Sequence, residues 1–155
     1  MRPTYLDNNA TTRVDSEVVA AMLPYLTEHF GNASSMHMFG AEVGGALKVA
    51  RQRIQELLGA EHDHEIVFTS GGTESDNAAI LSALETQAGR NEIVTSAVEH
   101  PAILSLCKHL ADTRGIKVHH IPVDARGRLD LDAYRKALNS KTAIATIMWA
   151  NNETG

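Results

Sequence analysis

With 155 residues, 43% of them hydrophobic, and no run of about 18 apolar residues, the chain has material for one soluble domain and no membrane-spanning segment. Its amino-terminal residues form no apolar secretory core, and the single cysteine, Cys107, excludes an internal disulfide, so the sequence predicts a cytoplasmic protein. A net charge of −5 with scattered lysines and arginines argues against a nucleic-acid surface. We therefore expect a small molecule or a protein as the partner.

Two helices are predicted in the first part of the chain. Asp15 is expected to cap the first helix, with Pro24 inside it and Gly31 closing it. The second carries apolar residues at helical spacing and stops at Gly59. Between the two, the small and polar residues 31–40 indicate a loop.

From residue 65 onward, predicted strands and helices alternate. The strands cover residues 65–69, 92–96, 117–121 and 142–149, and the helices cover residues 73–87, 101–114 and 131–138. Such alternation predicts an α/β fold, with a mainly parallel sheet flanked by helices in three layers. Because ligands of such sheets bind at the carboxyl ends of the strands, the loops after Thr69, Ser96 and Trp149 are expected to face one site.

The first of these loops has the features of a phosphate-binding turn. Gly71 and Gly72 permit a tight turn, Thr73 is the expected N-cap, and Asp76 approximates a capping box. The N–H groups of the first helical turn would then favour an anion. The lysine of a nucleotide-binding P-loop is absent, so we expect the phosphate of a ligand other than ATP. A plain strand-to-helix turn remains the alternative.

The other two loops carry His100 and Asn152. His100 precedes Pro101, which suits the first position of a helix, so its imidazole is expected at the mouth of the sheet. There it can stack on a planar ligand or move a proton, although an isolated loop histidine is more often simply solvated. The Asn152 amide can donate to an oxyanion or merely shape a turn.

Two further features of the sequence are read as structural. Cys107 lies among leucines inside a predicted helix and is expected to be a small core residue and not a nucleophile. The run 61–64 contains two histidines and two acidic residues, but no matching ligands lie nearby in sequence. We interpret it as a solvated loop and predict no metal ligands.

Five motifs, in order along the chain, resemble those of the cysteine desulfurases, which are pyridoxal 5'-phosphate (PLP) enzymes of the class V aminotransferase group. The motifs are residues 5–12, 31–35, 68–77, 99–102 and 151–155. The segment from Met148 to Gly155 resembles the nitrogen-fixation type in particular. The resemblance implies the large domain of the PLP-dependent transferase fold (fold type I), truncated here. Residues 1–14 would contribute to the small domain, and residues 15–155 would form the first part of the PLP-binding large domain.

The resemblance also implies roles for individual residues. Gly72 and Thr73 would bind the cofactor phosphate, in agreement with the expected position of the helix dipole. His100 would stack on the pyridine ring and assist proton transfer. Asn152 would donate to the phenolic oxygen of the cofactor, and Asn32 would help to hold the substrate carboxylate.

The implied reaction removes sulfur from L-cysteine, giving L-alanine and an enzyme-bound persulfide. The implied partners are an iron–sulfur scaffold protein that accepts the sulfur, in this subtype for nitrogenase maturation, and a second copy of the chain in a homodimer. The Schiff-base lysine, catalytic cysteine and substrate-binding arginine of the family have no match here, so we expect the front part of a longer protein, inactive alone. The alternatives are a selenocysteine lyase, another class V enzyme, or a non-catalytic anion-binding module.

Overall fold

The computed structural model describes residues 3–155, which divide into two compact units. The first unit extends to Phe68, and the second comprises Thr69–Gly155. Among the residues described, no helix combines the length and the hydrophobicity that are needed to cross a lipid bilayer.

The first helix, α1, covers Ser16–Thr27. The prediction that Asp15 caps it is confirmed, because the Asp15 carboxylate accepts a hydrogen bond from the backbone N–H of Glu17 at 2.8 Å. Pro24 lies inside the helix. The predicted end at Gly31 is wrong: the Pro24 carbonyl accepts from the N–H groups of both Glu28 and the following histidine, at 2.8 Å each, which closes the last turn at Glu28.

The second helix, α2, covers Met38–Leu58. It begins inside the segment 31–40 that was predicted to be a loop, because the Nδ1 atom of His37 accepts from the Gly40 N–H at 3.2 Å and caps the helix there. Its end is as predicted: Gly59 adopts the left-handed conformation, with φ of 69°, and terminates the helix.

The predicted strand at residues 65–69 is absent. Glu65 ends a short 3₁₀ helix, Asp63–Glu65, and the chain that follows it forms no ladder with any described strand. Instead the Arg51 guanidinium, from α2, donates to the Ile66 carbonyl and lies 4.8 Å from the centre of the Phe68 ring. A strand exists only by pairing with another backbone, and here that segment makes side-chain contacts with α2.

The second unit contains the regular α/β alternation that the sequence predicts. Its elements are α3 (Gly72–Thr86), β1 (Glu92–Ser96), α4 (Pro101–Arg114), β2 (Lys117–Ile121), α5 (Leu131–Ala137) and β3 (Thr142–Thr146). The predicted bounds of β1, α4 and β2 are confirmed to the residue. The predicted starts of α5 and β3 are confirmed as well. Both ends of α3 and the end of α5 lie one residue earlier than predicted, and β3 ends three residues earlier.

The sheet has the order β2-β1-β3, and both pairings are parallel, which confirms the predicted class. All five residues of the central strand β1 are buried. The core beside it consists of Ile80 from α3, Ile93 from β1, and Ile103, Cys107 and Leu110 from α4. This core fixes α3 and α4 against the sheet, so that the loops at the carboxyl ends of the strands have a rigid base.

Candidate active site

The turn that leads into α3 differs from the predicted arrangement. The first helical hydrogen bond runs from the Ser75 N–H to the Gly71 carbonyl at 3.1 Å, so Gly71 is the N-cap and Thr73 is the second residue of the helix. The prediction that Thr73 is the N-cap, with Asp76 in a capping box, is therefore wrong. The acidic residue that reaches back is Glu74, which lies three positions after the true N-cap.

Side-chain hydrogen bonds hold this turn closed. The Glu74 carboxylate accepts from the Ser70 hydroxyl at 2.6 Å and from the Ser70 N–H at 2.7 Å, and these bonds hold the Glu74 pKa below its usual value. The hydroxyl groups of Thr69 and Ser75 are 2.6 Å apart, and the Thr69 hydroxyl also donates to the Gly71 carbonyl at 3.1 Å. The turn is thus fixed by its own side chains.

The start of α3 offers donors that fit a phosphate. The N–H groups of the first turn have no acceptor inside the helix. A Cβ atom added to Gly71 or Gly72 would meet nothing within 4 Å, so the space beside this backbone is open. Thr73 is exposed and adds a hydroxyl. A dianionic phosphate matches N–H and O–H donors at the positive end of a 15-residue helix.

The loop after β1 ends at His100, which is the N-cap of α4. Its Nδ1 atom accepts from the Ala102 N–H at 3.1 Å, and Pro101 occupies the first helical position as predicted. Because Nδ1 is an acceptor, the proton of the neutral ring lies on Nε2. The exposed imidazole is therefore oriented by its own helix, with Nε2 as the available proton donor.

The loop after β3 carries Asn152 in a turn that Asn151 organises. The Asn151 side-chain oxygen accepts from the N–H groups of Glu153 and Thr154 at 2.8 and 3.0 Å, and its carbonyl accepts from Gly155. The exposed Asn152 amide donates to the Glu153 carboxylate at 2.9 Å. The turn therefore has a defined shape of its own.

The loops after β1 and β3 contact each other directly. Glu99, only 6% exposed, accepts from the Ser96 hydroxyl at 2.8 Å and from the Met148 N–H at 2.7 Å through a single oxygen. The Asn151 amide donates to the Val98 carbonyl at 2.9 Å. A cavity of about 250 Å³ lies against the joined loops. The Met148 N–H therefore bonds to a side chain and not to a neighbouring strand, and β3 ends at Thr146, before the predicted residue 149.

The convergence of two of the three predicted loops is thus observed. The first turn of α3 belongs to the same compact unit, and α3 packs against α4 and β3. That Thr73, His100 and Asn152 bind a single cofactor stays a prediction. The sequence analysis did not identify Glu99 and Asn151 as the residues that join the two loops. Their position was a usable signal, because an acidic residue directly precedes His100 and an asparagine directly precedes Asn152.

Asn32 belongs to the first unit. Its side-chain oxygen accepts from the Ser34 N–H and its carbonyl accepts from the Ser35 N–H, both at 2.9 Å, in a compact turn. Its role toward a substrate stays a prediction.

Cys107 lies in the core, as the sequence predicts, and is fully buried. Burial raises the pKa of its thiol, and the negative charge of Glu99 adds to this effect. The protonated, inaccessible thiol is a poor nucleophile. Residues 3–155 contain no group of three or more histidine, cysteine or acidic side chains placed to hold a metal ion.

Comparison with known proteins gives this site a family context. The sequence profile described as Aminotransferase class-V matches residues 4–155. The chain belongs to the class-V aminotransferase family. It is 76% identical over all 155 residues to a cysteine desulfurase of Gluconacetobacter diazotrophicus, of which it covers 39%. It is 62% identical over the same length to the cysteine desulfurase NifS of Azotobacter vinelandii, of which it covers 38%.

Solved structures of similar proteins have the same fold as this class-V chain. A structure described as a NifS-like protein superimposes with a TM-score of 0.90 at 39% identity, over 96% of this chain and 40% of that one. A structure of SspA in complex with cysteine superimposes with a TM-score of 0.88 at 33% identity, over 97% of this chain and 43% of that one. The chain therefore spans about two fifths of the length of the relatives it matches.

Proposed function

We propose that this chain is the amino-terminal part of a PLP-dependent cysteine desulfurase, which removes sulfur from L-cysteine to give L-alanine and an enzyme-bound persulfide. The observation that carries the proposal is the direct joining of the loops that bear His100 and Asn152, at the carboxyl ends of β1 and β3. Class-V aminotransferases depend on PLP, and parallel α/β sheets bind ligands at this edge.

Each assigned residue has a task that its local structure supports. Gly72 and Thr73 bind the cofactor phosphate with the N–H and O–H donors that begin α3. His100 stacks on the pyridine ring, and its Nε2 holds the proton that moves during the reaction, because Nδ1 is bonded to the Ala102 N–H. Asn152 donates to the phenolic oxygen.

PLP supplies an electron sink for the carbanion formed next to the substrate nitrogen. In the first unit, Asn32 helps to hold the substrate carboxylate. None of the five lysines lies in a motif of the Schiff-base lysine, so we expect the 155-residue chain to be inactive by itself.

The finer features of the proposal follow from the relatives. Identity of 62% to the protein named NifS supports the nitrogen-fixation type, with an iron–sulfur scaffold protein as sulfur acceptor and nitrogenase maturation as the destination. The SspA structure holds cysteine, which supports an L-cysteine substrate. We further propose that the complete protein is cytoplasmic and forms a homodimer. Light scattering on the complete protein tests the dimer directly, and an active monomer would refute it.

The test of the proposed activity uses the complete protein that carries this chain. We expect a visible absorption band that borohydride abolishes, and stoichiometric L-alanine and sulfide when L-cysteine and a thiol reductant are added. A colourless protein would refute the proposal in favour of an anion-binding module. Strong preference for selenocysteine over cysteine, measured by alanine formation, would assign the protein as a selenocysteine lyase.

A further inference from the structure

Glu99 is a buried carboxylate without a cationic partner among residues 3–155. Its side chain is enclosed next to the strand end, and its hydrogen bonds come from two neutral donors, the Ser96 hydroxyl and the Met148 N–H. Burying a carboxylate that has no ion pair is costly. The cost is offset here by charge-assisted bonds, which are roughly twice as strong as neutral ones.

These bonds join two segments that are distant in the sequence. Glu99 and Met148 are 49 positions apart in the sequence. The bond from the Asn151 amide to the Val98 carbonyl likewise donates from the loop after β3 to the loop after β1. Together the two bonds fix the distance and the orientation between the loops.

The joining residues directly precede the residues that are assigned to the cofactor. Glu99 is followed by His100, and Asn151 is followed by Asn152. Each joining residue is covalently bonded to an assigned residue. A shift in either hydrogen bond therefore also displaces the neighbouring His100 or Asn152. Since His100 is fixed to α4 through Ala102, the freer partner is the loop of Asn152.

We propose that Glu99 is a positioning residue, which holds Met148 and thereby sets Asn152 at the correct place relative to His100. The inference rests on the proposed function for the roles of His100 and Asn152. The joining of the loops itself is independent of any cofactor. Glu99 acts through these two neighbours and touches neither the cofactor nor the substrate.

The experiment compares Glu99→Ala, Glu99→Gln and Glu92→Ala with wild type in the complete protein. Glu92 is the matched control, because it is an equally buried carboxylate, 6% exposed, and it begins β1, at the end of the strand away from the loop of Glu99. The first readout is hydrogen exchange of residues 147–155 in cofactor-free protein. The second is the pH midpoint of the visible band in the PLP-loaded protein, because the Asn152 donor stabilises the ionised phenolic oxygen.

We expect Glu99→Ala to speed exchange of the Met148 amide roughly 10- to 100-fold, the range for losing a hydrogen bond to a charged group. The same variant should shift the pH midpoint of the band upward, since the ionised oxygen loses a well-placed donor. Glu99→Gln keeps an acceptor oxygen and should restore most of both properties. Glu92→Ala should lower stability and move neither readout.

The proposal would be overturned if Glu99→Ala left both the hydrogen-exchange rate of residues 147–155 and the pH midpoint of the visible band at their wild-type values. It would also be overturned if Glu92→Ala changed both quantities as much as Glu99→Ala does. If Glu99→Ala does not fold, Ser96→Ala decides: it removes one of the two bonds to the same oxygen and must still speed exchange of residues 147–155 several-fold. A wild-type protein without a visible band would refute the proposed function, whereas the exchange measurement would still show whether Glu99 joins the loops.

Discussion

Two glycines of α2 have opposite surroundings, and this contrast makes a sharp stability prediction. A Cβ atom at Gly40 would lie 2.3 Å from the Ser35 carbonyl oxygen and 2.6 Å from the Asn32 carbonyl oxygen. A Cβ atom at Gly45 would meet nothing within 4 Å. Neither glycine has a positive φ, so substitution by alanine tests space and helix propensity alone.

The expected magnitudes follow from these distances. Alanine in place of glycine inside a helix gains up to about 1 kcal/mol, which Gly45→Ala should show as added stability. Overpacking typically costs about 1–3 kcal/mol. Gly40→Ala should lie at the upper end of that range, because its neighbours are backbone oxygens that cannot rotate away. The two variants should then differ by about 2–4 kcal/mol, or roughly 30- to 700-fold in the unfolding equilibrium.

Urea unfolding of both variants, in the complete protein, measures the difference in unfolding free energy. Hydrogen exchange of residues 31–40 locates it, since the loop packed on Gly40 should open first. That loop carries Asn32, for which we propose a role in holding the substrate carboxylate, so under that proposal Gly40→Ala should also raise KM for cysteine. Gly44, whose added Cβ would lie 3.1 Å from the Ala33 carbonyl oxygen, should give an intermediate result. Equal stability of Gly40→Ala and Gly45→Ala would refute the reasoning.

Three further predictions concern the second unit. Thr73→Ala should weaken PLP binding roughly 10- to 100-fold through loss of a bond to a charged group, and Thr73→Ser should restore it; unchanged affinity in a cofactor titration would remove Thr73 from the site. Bonds from Asn139 and His119 lower the Glu92 pKa from 4.5 to about 2. The stability that these bonds add is therefore present above the pKa of Glu92 in the unfolded state, and it is lost as the pH falls from about 5 toward 2. In urea titrations, the difference in unfolding free energy between wild type and Glu92→Gln should narrow over that range. A difference that stays constant would contradict this prediction. Leu110→Ala, at a core position that is 1% exposed, should cost about 2–5 kcal/mol by urea unfolding and Leu110→Met under about 1.5; equal costs would show a loosely packed core.

Elements with local start and stop signals were predictable from the sequence. Pro101 at the first position of α4 marks the start of that helix, and Gly115 directly after its last residue, with φ of 64°, marks its end. Both signals lie next to the boundary that they mark. The strands β1 and β2 are short extended runs joined by α4, and a helical connection of this kind is what a parallel pair of strands needs.

The start of α3 shows where local pattern reading fails. Thr73 and Asp76 satisfy the spacing of a capping box, yet the helix begins two residues earlier, with Gly71 as its N-cap. The hydrogen bonds from Ser70 to the Glu74 carboxylate close the turn around this earlier start, and the local pattern does not record them.

The sequence by itself determined the α/β class, the order of the elements in the second unit and the family, because each of these is recorded in local periodicity or in ordered motifs. Only the tertiary structure decided that residues 66–69 pair with no strand, that β3 stops at Thr146, and that Glu99 joins the loops of His100 and Asn152. The physical reason is that each of these features depends on which distant group satisfies a backbone N–H or C=O, and a local pattern does not record that partner.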